Sequence, residues 1–347
     1  MSYPIVIGDY HLHNFQQWGR QKVDGINYRA AMSLASLKIT LDRHTNTNAL
    51  PKTFIFAGDV FDTSKPEPSL IAALMDLLGS FDRSQFYLMT GNHDVGSSGP
   101  NDHSLAPFKH GPKNIRVVDT PMILPEDPSI LMHPWLIAGN LRQSILDKCT
   151  PYTKVVIAHG FVQNQPFAIS DNTDLTGDFG GIRIISGHQH TRTTMQKKLC
   201  IGAFCPVAFG DDSGGIYELL PDMAWKLSAR DIFFADIEQH RLPALADDIH
   251  CADHVVGSTF IRILVDDVSK MALARQQAKE LADRGYGGVK IKLLKTEAGS
   301  AGGKTAQGHL SLEAAINSEI DKYCAEQKIN SHLQKLIQES LTSCLKT

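Results

Sequence analysis

Aspartate, asparagine and histidine residues recur in five short motifs within the first 190 residues of the chain. Their side chains are oxygen and nitrogen donors, and in chain order they are Asp9 and His11 in GDYH, Asp59 and Asp62 in GDVFD, Asn92, His93 and Asp94 in GNHD, His159 in AHG, and His188 and His190 in GHQH. Such donors suit Mn²⁺, Fe²⁺ or Zn²⁺, whereas thiolate-rich sites favour zinc or clusters. Two divalent cations about 4 Å apart form a clamp for phosphoester hydrolysis. The motifs therefore indicate a dinuclear metal site.

The first motif contains a third candidate ligand. In GDYHLHN, Asp9, His11 and His13 alternate along the chain, and side chains two residues apart on an extended segment face the same side. Each motif alone is a weak signal, because a lone D-x-H or G-H-x-H occurs by chance. A pair of cations also needs a carboxylate that reaches both ions. Asp59, at a predicted strand end between the flanking motifs, is expected to bridge them.

The apolar runs that precede the motifs predict strands, with helices between them. The runs YPIVIGD, TFIFAGD, QFYLMTGNHD and KVVIAHG are typical of strands, and INYRAAMSLASLKITLDRH and PSLIAALMDLLGSF are typical of helices. Strands that alternate with helices indicate a layered α/β architecture. The metal-capable residues lie just past the carboxyl ends of the predicted strands, where ligand sites lie in open α/β sheets.

The rest of the chain divides into smaller parts. We expect a first domain over residues 1–250, and a strand–helix–strand unit over 255–297. A glycine-rich stretch at 298–307 reads as a flexible linker, and residues 308–347 as two amphipathic helices. Such a helical hairpin either docks on another molecule or packs back on its own domain, and the pattern leaves both alternatives open.

Composition is that of an ordinary globular protein. The 347 residues are 42% hydrophobic and 20% charged, with a formal net charge of −3, so there is no global basic signal for nucleic-acid binding. The six cysteines show no C-x-x-C spacing, which indicates a reduced, intracellular protein. No signal peptide is evident, and no apolar run approaches the roughly 20 residues that span a bilayer. We expect a cytoplasmic protein without a membrane segment.

In this order, the five motifs resemble those of the calcineurin-like metallophosphoesterases throughout residues 5–190. The resemblance implies a four-layer α/β fold, a β-sandwich flanked by helices. It also implies two divalent metal ions, the first held by Asp9, His11, Asp59 and His190, and the second by Asp59, Asn92, His159 and His188. His93 matches the position beside the scissile phosphate that assists departure of the leaving oxygen. Asp94 would orient His93, or would alternatively cap the following segment.

Within this superfamily, the details resemble the SbcD family of repair nucleases and their tailed-phage counterparts. Protein phosphatases of the calcineurin type carry an arginine after the second motif, whereas here GDVFD continues with Thr63. The SbcD resemblance implies a Mn²⁺-dependent DNA exonuclease with single-strand endonuclease activity, with Mg²⁺, Fe²⁺ or Zn²⁺ as alternative ions. It further implies a small α/β capping domain, C-terminal helices that bind an SMC-like ATPase, and a homodimer in the cytoplasm of a bacterial cell or phage-infected host.

Other residues are candidates for contact with DNA. His13 replaces a glycine that is usual in the family, and is expected to face the substrate rather than bind metal. Arg183 and Arg192, with Lys197 and Lys198, surround the last motif, where they would either meet phosphates or form a solvated surface. Asp62 stands where archaeal and eukaryotic relatives carry histidine, so no role is transferred to it.

Two further readings of function remain open. The first is a phosphodiesterase or nucleotidase that acts on small molecules, which would not need the capping unit or the helical hairpin. The second is a non-catalytic scaffold on the same fold, which predicts missing ligand residues. Every ligand position is filled here, and His93 is present.

Overall fold

The computed structural model describes residues 3–294 except 16–21, 24, 47–50, 98, 100, 164–169, 206–214, 221–223, 228–236, 242–259 and 285–287. The chain divides into two units, residues 1–295 and 296–347, and every described residue belongs to the first. The expected linker at 298–307 and the helices at 308–347 therefore lie outside the described residues. Of the described helices, none is long and apolar enough to cross a membrane.

The first sheet has six strands, in the order β14 (Trp225–Leu227), β13 (Ile216–Leu219), β1 (Ile5–Ile7), β4 (Thr53–Phe56), β5 (Gln85–Met89) and β6 (Ile115–Val118). The strands β1, β4, β5 and β6 are parallel, and β13 and β14 continue the sheet in antiparallel fashion. The strands β1, β4 and β5 are buried on both faces, which is why they read as continuous apolar runs in the sequence, whereas the edge strand β6 exposes Arg116.

The second sheet also has six strands, in the order β11 (Thr193–Met195), β12 (Lys198–Cys200), β10 (Arg183–Gly187), β9 (Val155–His159), β8 (Ile130–His133) and β7 (Met122–Ile123). The four central strands are parallel, and the two edge strands are antiparallel to their neighbours. A short hairpin of β2 (Lys22–Val23) and β3 (Ile26–Asn27) lies outside both sheets.

The two sheets pack face to face, with helices on their outer faces. Side chains such as Val6 and Ile55 of the first sheet share an apolar core with Ile157 and Ile185 of the second. Helices α1 (Tyr28–Asn46) and α2 (Pro68–Gly79) cover the first sheet, and α3 (Leu141–Lys148) covers the second. The expected four-layer α/β fold is thereby confirmed, with the layers in the order helix, sheet, sheet, helix.

Helix α1 begins two residues later than the sequence pattern predicts. The apolar periodicity includes Ile26, but the Asn27 side-chain oxygen accepts a hydrogen bond from the Ala30 N–H at 2.8 Å, as a helix N-cap does. Asn27 therefore fixes the start of the helix, and places Arg29 in its first turn.

A small α/β unit lies near the end of the described residues. Its sheet consists of three parallel strands, β15 (Ile237–Arg241), β16 (Phe260–Val265) and β17 (Gly288–Leu293). Helix α4 (Met271–Asp283) connects β16 to β17 and packs against them, so that the unit has an apolar core of its own. The strand–helix–strand pattern of residues 255–297 corresponds to β16, α4 and β17, whereas β15 was not expected.

Candidate metal centre

The five motifs meet at one edge of the sandwich, because each follows the carboxyl end of a parallel strand. Asp9 lies two residues after β1, Asp59 three residues after β4, and Asn92 three residues after β5. From the second sheet, His159 ends β9 and His188 directly follows β10. The strand ends of both sheets thus supply side chains to a single site.

Three overlapping groups of side chains place metal-capable atoms within 4.8 Å of one another: Asp9, His11 and His190; His11, Asp59 and His93; and Asp59, His159 and His188. Asp59 belongs to two of them. Its Oδ2 lies 3.6 Å from His11 Nε2 and 3.3 Å from His159 Nε2, so one carboxylate oxygen reaches both ends of the cluster. This is the geometry that a bridging ligand needs.

Asn92 completes the half of the cluster that lies on the second sheet. Its Oδ1 lies 2.9 Å from His159 Nε2 and 2.7 Å from His188 Nδ1. At the other end, His190 Nε2 lies 3.1 Å from His11 Nε2. The structure thus brings together all seven residues that the family resemblance assigns to two metal ions.

The backbone is strained at three of these residues. Of the described non-glycine residues, four have positive φ, and three of the four are His11 (φ 45°), Asp59 (φ 47°) and His188 (φ 82°). Non-glycine residues rarely adopt such angles, and they persist where the surrounding structure enforces them. The chain bends sharply at these three of the five motifs, which helps to turn their side chains toward one point.

The bend at His11 also decides the position of His13. Alternation along a strand applies only while the chain stays extended, and the positive φ at His11 ends that regularity. His13 is 5% exposed, and its Nδ1 accepts a hydrogen bond from the Phe15 N–H at 3.2 Å. It belongs to none of the three groups. His13 is therefore packed in the wall of the site, and little of it faces outward.

One carboxylate oxygen in the cluster, Asp9 Oδ2, is buried without a hydrogen-bond donor among the described residues, as an oxygen that binds a cation would be. Asp9 Oδ1 accepts a hydrogen bond from the His188 N–H at 3.0 Å, but Asp9 Oδ2 is buried and has no hydrogen-bond partner among the described residues. A buried carboxylate oxygen without a donor is costly. A divalent cation among these oxygen and nitrogen donors would satisfy it, so the residues present fit a dinuclear metal site.

The electrostatics of the cluster are those of closely packed, buried groups. Burial raises the pKa of Asp9, and burial together with the neighbouring His159 lowers the pKa of His188 to about 3. Burial would also lower the pKa of His159, but attraction to Asp59 and Asp9 outweighs it and raises that pKa to about 9. Metal ligands must be deprotonated, so a cation would displace the proton from His159 on binding.

Close approach of glycine backbone holds the carboxylates in place. A Cβ at Gly91 would collide with Asp59, and one at Gly187 would collide with Asp9 and the Ala57 carbonyl. We therefore expect Gly91→Ala to weaken metal binding by roughly 5–150-fold, equivalent to 1–3 kcal/mol of overpacking. Titration calorimetry with Mn²⁺ would measure this.

Gly181→Ala is the matched control for Gly91→Ala, because a Cβ at Gly181 meets nothing within 4 Å. Equal metal affinity of the two alanine variants would show that the close approach at Gly91 does not position Asp59.

The structure does not pair Asp94 with His93, contrary to the sequence-based expectation. Asp94 is fully buried, and its two carboxylate oxygens accept hydrogen bonds from the N–H groups of Val60, Phe61 and Gly91 and from the Ser104 hydroxyl. These four bonds direct the carboxylate into the protein. Asp94 thus ties the loop after β5 to the loop after β4, rather than pairing with His93 or capping the segment that directly follows it.

Asp62 is the residue to which the His93 ring is hydrogen-bonded, and the sequence analysis transferred no role to it. The His93 Nδ1–H donates to the Asp62 backbone carbonyl at 3.2 Å, and the Asp62 carboxylate lies 2.8 Å from His11 Nδ1. A metal-binding histidine commonly donates its second ring N–H to a carboxylate, which fixes the tautomer. In the sequence, the spacing D-x-x-D of Asp59 and Asp62 was the one feature that could have indicated this role of Asp62.

Asp62→Asn should therefore lower metal affinity about 10–100-fold, the usual cost of losing such a partner. The asparagine keeps the backbone carbonyl that accepts from His93, so the effect would report on His11. Metal content after dialysis at graded Mn²⁺ concentrations would measure it, with the exposed Asp76→Asn as control. An Asp62→Asn variant that retains metal as well as Asp76→Asn does would remove Asp62 from this role.

Three of the four cations proposed to surround the last motif lie at the amino ends of the strands, opposite the edge that carries the metal-capable cluster. Arg183 begins β10 whereas His188 follows its other end, so about 16 Å of strand separates them. Lys198 begins the parallel strand β12, and its ammonium donates to the carbonyls of residues 175–177. Lys197 precedes Lys198. Arg192 alone of the four lies near the cluster, exposed and two residues after His190.

Comparison with known proteins agrees with this arrangement. A search of curated proteins finds no match, but the family model for calcineurin-like phosphoesterase matches residues 5–192, which is more than half of the chain. The matched span ends just after His190, the last residue of the cluster. A site for metal-dependent phosphoester hydrolysis accounts for both the family match and the cluster of metal-capable side chains. The chain belongs to the calcineurin-like phosphoesterase family.

Proposed function

We propose that this protein is a Mn²⁺-dependent DNA nuclease that hydrolyses phosphodiester bonds with two metal ions, as the nuclease subunit of an SbcCD-like complex. The observation that carries the hydrolytic part is the cluster of seven donors that share Asp59. The preference for DNA rests on the resemblance of GDVFDT and GNHD to the SbcD family, and on the small α/β unit that follows the core.

In this proposal, Asp9, His11, Asp59 and His190 hold the first ion, and Asp59, Asn92, His159 and His188 the second. The ions would activate water and stabilise the attacking and leaving oxygens. The set contains oxygen and imidazole donors and no thiolate, which suits Mn²⁺ and leaves Mg²⁺, Fe²⁺ or Zn²⁺ as alternatives to be compared.

His93 would protonate the leaving oxygen. Its side chain is 42% exposed, so it lies at the open side of an otherwise buried cluster, and its ring meets that of His11 edge-on at 4.8 Å. Because Nδ1 donates to the Asp62 carbonyl, Nε2 is the nitrogen available to the departing oxygen. Asp94 supports this position indirectly, through the loop that carries His93.

Incubation of the protein with Mn²⁺ or Mg²⁺ and end-labelled single- or double-stranded DNA tests the proposal. A nuclease shortens the DNA, and the position of the label in the products gives the polarity of digestion. The small-molecule alternative predicts phosphate release from nucleotides or cyclic nucleotides with the DNA left intact. A scaffold predicts no hydrolysis of either substrate with any of the four ions.

The partners are a separate part of the proposal. We expect the C-terminal residues 308–347 to bind an SMC-like ATPase, and the protein to form a homodimer in the cytoplasm. Removal of residues 298–347 should abolish co-purification with the ATPase while hydrolysis of a chromogenic phosphodiester is preserved. Unchanged association after this deletion would refute the assignment of the C-terminal segment.

A further inference from the structure

The phenylalanine that follows the AHG motif is fixed in place by its backbone. Phe161 lies two residues after His159, just beyond the end of β9. Its N–H donates to the Thr173 carbonyl at 2.7 Å, and its carbonyl accepts from the Leu175 N–H at 2.9 Å. The next residue, Val162, is buried in the apolar core that the second sheet shares with α3. The backbone of Phe161 is therefore held at both its N–H and its carbonyl.

The side chain of Phe161 contacts a residue of the metal centre. Its ring meets that of His188 edge-on, with 4.3 Å between the centroids and 76° between the planes. The ring of His159 also meets that of His188 edge-on, at 4.9 Å and 68°. Aromatic rings prefer such edge-to-face contacts, which are directional. His188 is thus contacted by two rings, one from a candidate metal ligand and one, that of Phe161, from a residue that cannot bind metal.

Two other histidines of the cluster are oriented by hydrogen bonds instead. His11 and His159 each direct Nε2 into the cluster. The Nδ1 of His11 lies 2.8 Å from the Asp62 carboxylate, and the Nδ1 of His159 lies 2.9 Å from the Ala57 carbonyl. A bond of this kind fixes the tautomer and the orientation of a metal-binding imidazole.

The imidazole of His188 is turned the other way. Its Nδ1 faces the cluster, 2.7 Å from Asn92 Oδ1 and 3.2 Å from His159 Nε2. Its Nε2 is the outer nitrogen, and it makes no hydrogen bond to any of the described residues. The backbone of His188 is strained as well, with a φ of 82°. Ring contacts, rather than a hydrogen bond at the outer nitrogen, therefore limit the rotation of this imidazole.

We propose that Phe161 is a positioning residue for the second metal ion, because its ring holds the His188 imidazole with Nδ1 directed at Asn92 and His159. This role rests on the two ions of the proposed function and adds to them a residue that is not a ligand. Phe161 is half-buried, so its ring also places apolar surface beside the donors of the second ion. An apolar surrounding of this kind limits the access of water to a metal site.

The test is a calorimetric titration of the full chain with Mn²⁺, in the wild type and in Phe161→Leu. Leucine keeps an apolar side chain but removes the ring edge. The affinity for the second ion should fall about tenfold, the lower end of the usual loss when a partner that orients a metal ligand is removed. The affinity for the first ion should not change. Phe161→Tyr keeps the ring and should retain the wild-type affinity for both ions.

A double-mutant cycle with His188→Ala shows whether Phe161 acts through His188. His188→Ala removes a donor of the second ion, which identifies the binding step that belongs to this ion. Addition of Phe161→Leu to His188→Ala should lower Mn²⁺ affinity no further, because residues that act through one contact are not additive. Tyr152→Leu is the matched control, since Tyr152 precedes the other end of β9 and is 72% exposed. It should bind both ions as the wild type does.

Several results would overturn the proposal. Equal weakening of both ions in Phe161→Leu would indicate a general loosening of the fold, and wild-type affinity in this variant would show that the ring does not position His188. A further loss of affinity on adding Phe161→Leu to His188→Ala would contradict action through His188. Thermal unfolding in EDTA establishes whether Phe161→Leu is folded, and Phe161→Met, which also lacks a ring, gives the same comparison if it is not.

The number of bound ions separates this inference from the proposed function. A wild-type protein that binds two Mn²⁺ ions, the second of them weakened in Phe161→Leu, but that cleaves no DNA would refute the nuclease proposal alone. A protein that cleaves DNA with Mn²⁺ while Phe161→Leu binds both ions like the wild type would refute only the role of Phe161. Binding of a single ion by the wild type would refute both.

Discussion

Asp59→Asn should reduce phosphodiester hydrolysis by about a thousandfold to ten-thousandfold, because the change affects both halves of the cluster at once. The Oδ2 of Asp59 lies within 3.6 Å of His11 Nε2 and within 3.3 Å of His159 Nε2. An amide removes the negative charge that would attract both cations. Several kcal/mol of transition-state stabilisation depend on such ions, and each 1.36 kcal/mol corresponds to about tenfold in rate.

Metal analysis by mass spectrometry should show that the Asp59→Asn protein binds fewer than two ions per chain. Asp76→Asn, at an exposed position on α2, should keep both the metal and the activity. Thermal unfolding in EDTA would establish that the Asp59 variant is folded. Full metal content in a folded Asp59→Asn protein would mean that this carboxylate does not bridge two ions.

His93→Ala should lower the rate of DNA hydrolysis by about 10²–10⁴-fold, the range attributed to general acid–base catalysis. The loss should be smaller for a phosphodiester with a nitrophenol leaving group, since that oxygen departs without a proton. His93 also lies within reach of His11 and Asp59 in one of the three groups, so metal binding is the competing role.

The metal content of His93→Ala distinguishes these two roles. Retention of both ions with a low rate supports proton transfer, whereas loss of an ion identifies His93 as a ligand. His110→Ala removes an exposed histidine from the 3-10 helix Ala106–His110 and serves as the control. Full Mn²⁺-dependent activity of His93→Ala would show that the leaving-group assignment is wrong.

The main features of the cluster could be predicted from the sequence, because they depend on local patterns. Each motif follows an apolar run, and parallel strands end at a common edge, so residues such as Asp9 and His188 were expected to converge. The same reasoning should have excluded Arg183, which begins a strand whose other end carries the motif. The prediction was wrong because Arg183 is close to His188 in the sequence but lies at the opposite end of the strand.

The roles of Asp62 and Asp94 could not be predicted in this way. Asp94 follows His93 directly, which suggested a pair, but its hydrogen bonds reach Val60, Phe61 and Ser104. Asp62 reaches His11 because the backbone bends at Asp59 and His11. These contacts depend on how separate loops meet after folding, which strand and helix periodicity does not encode.

The origin of the cluster in both sheets has a consequence for the lifetime of the protein. Asp9 and Asp59 follow strands of the first sheet, and His159 and His188 belong to the second, so bound cations would fasten together two layers that otherwise meet through an apolar core. A ligand that binds only the folded chain adds about 2.7 kcal/mol to stability at a hundredfold excess over its Kd. Availability of metal would therefore control proteolytic turnover, with the metal-free chain as the form that is degraded first.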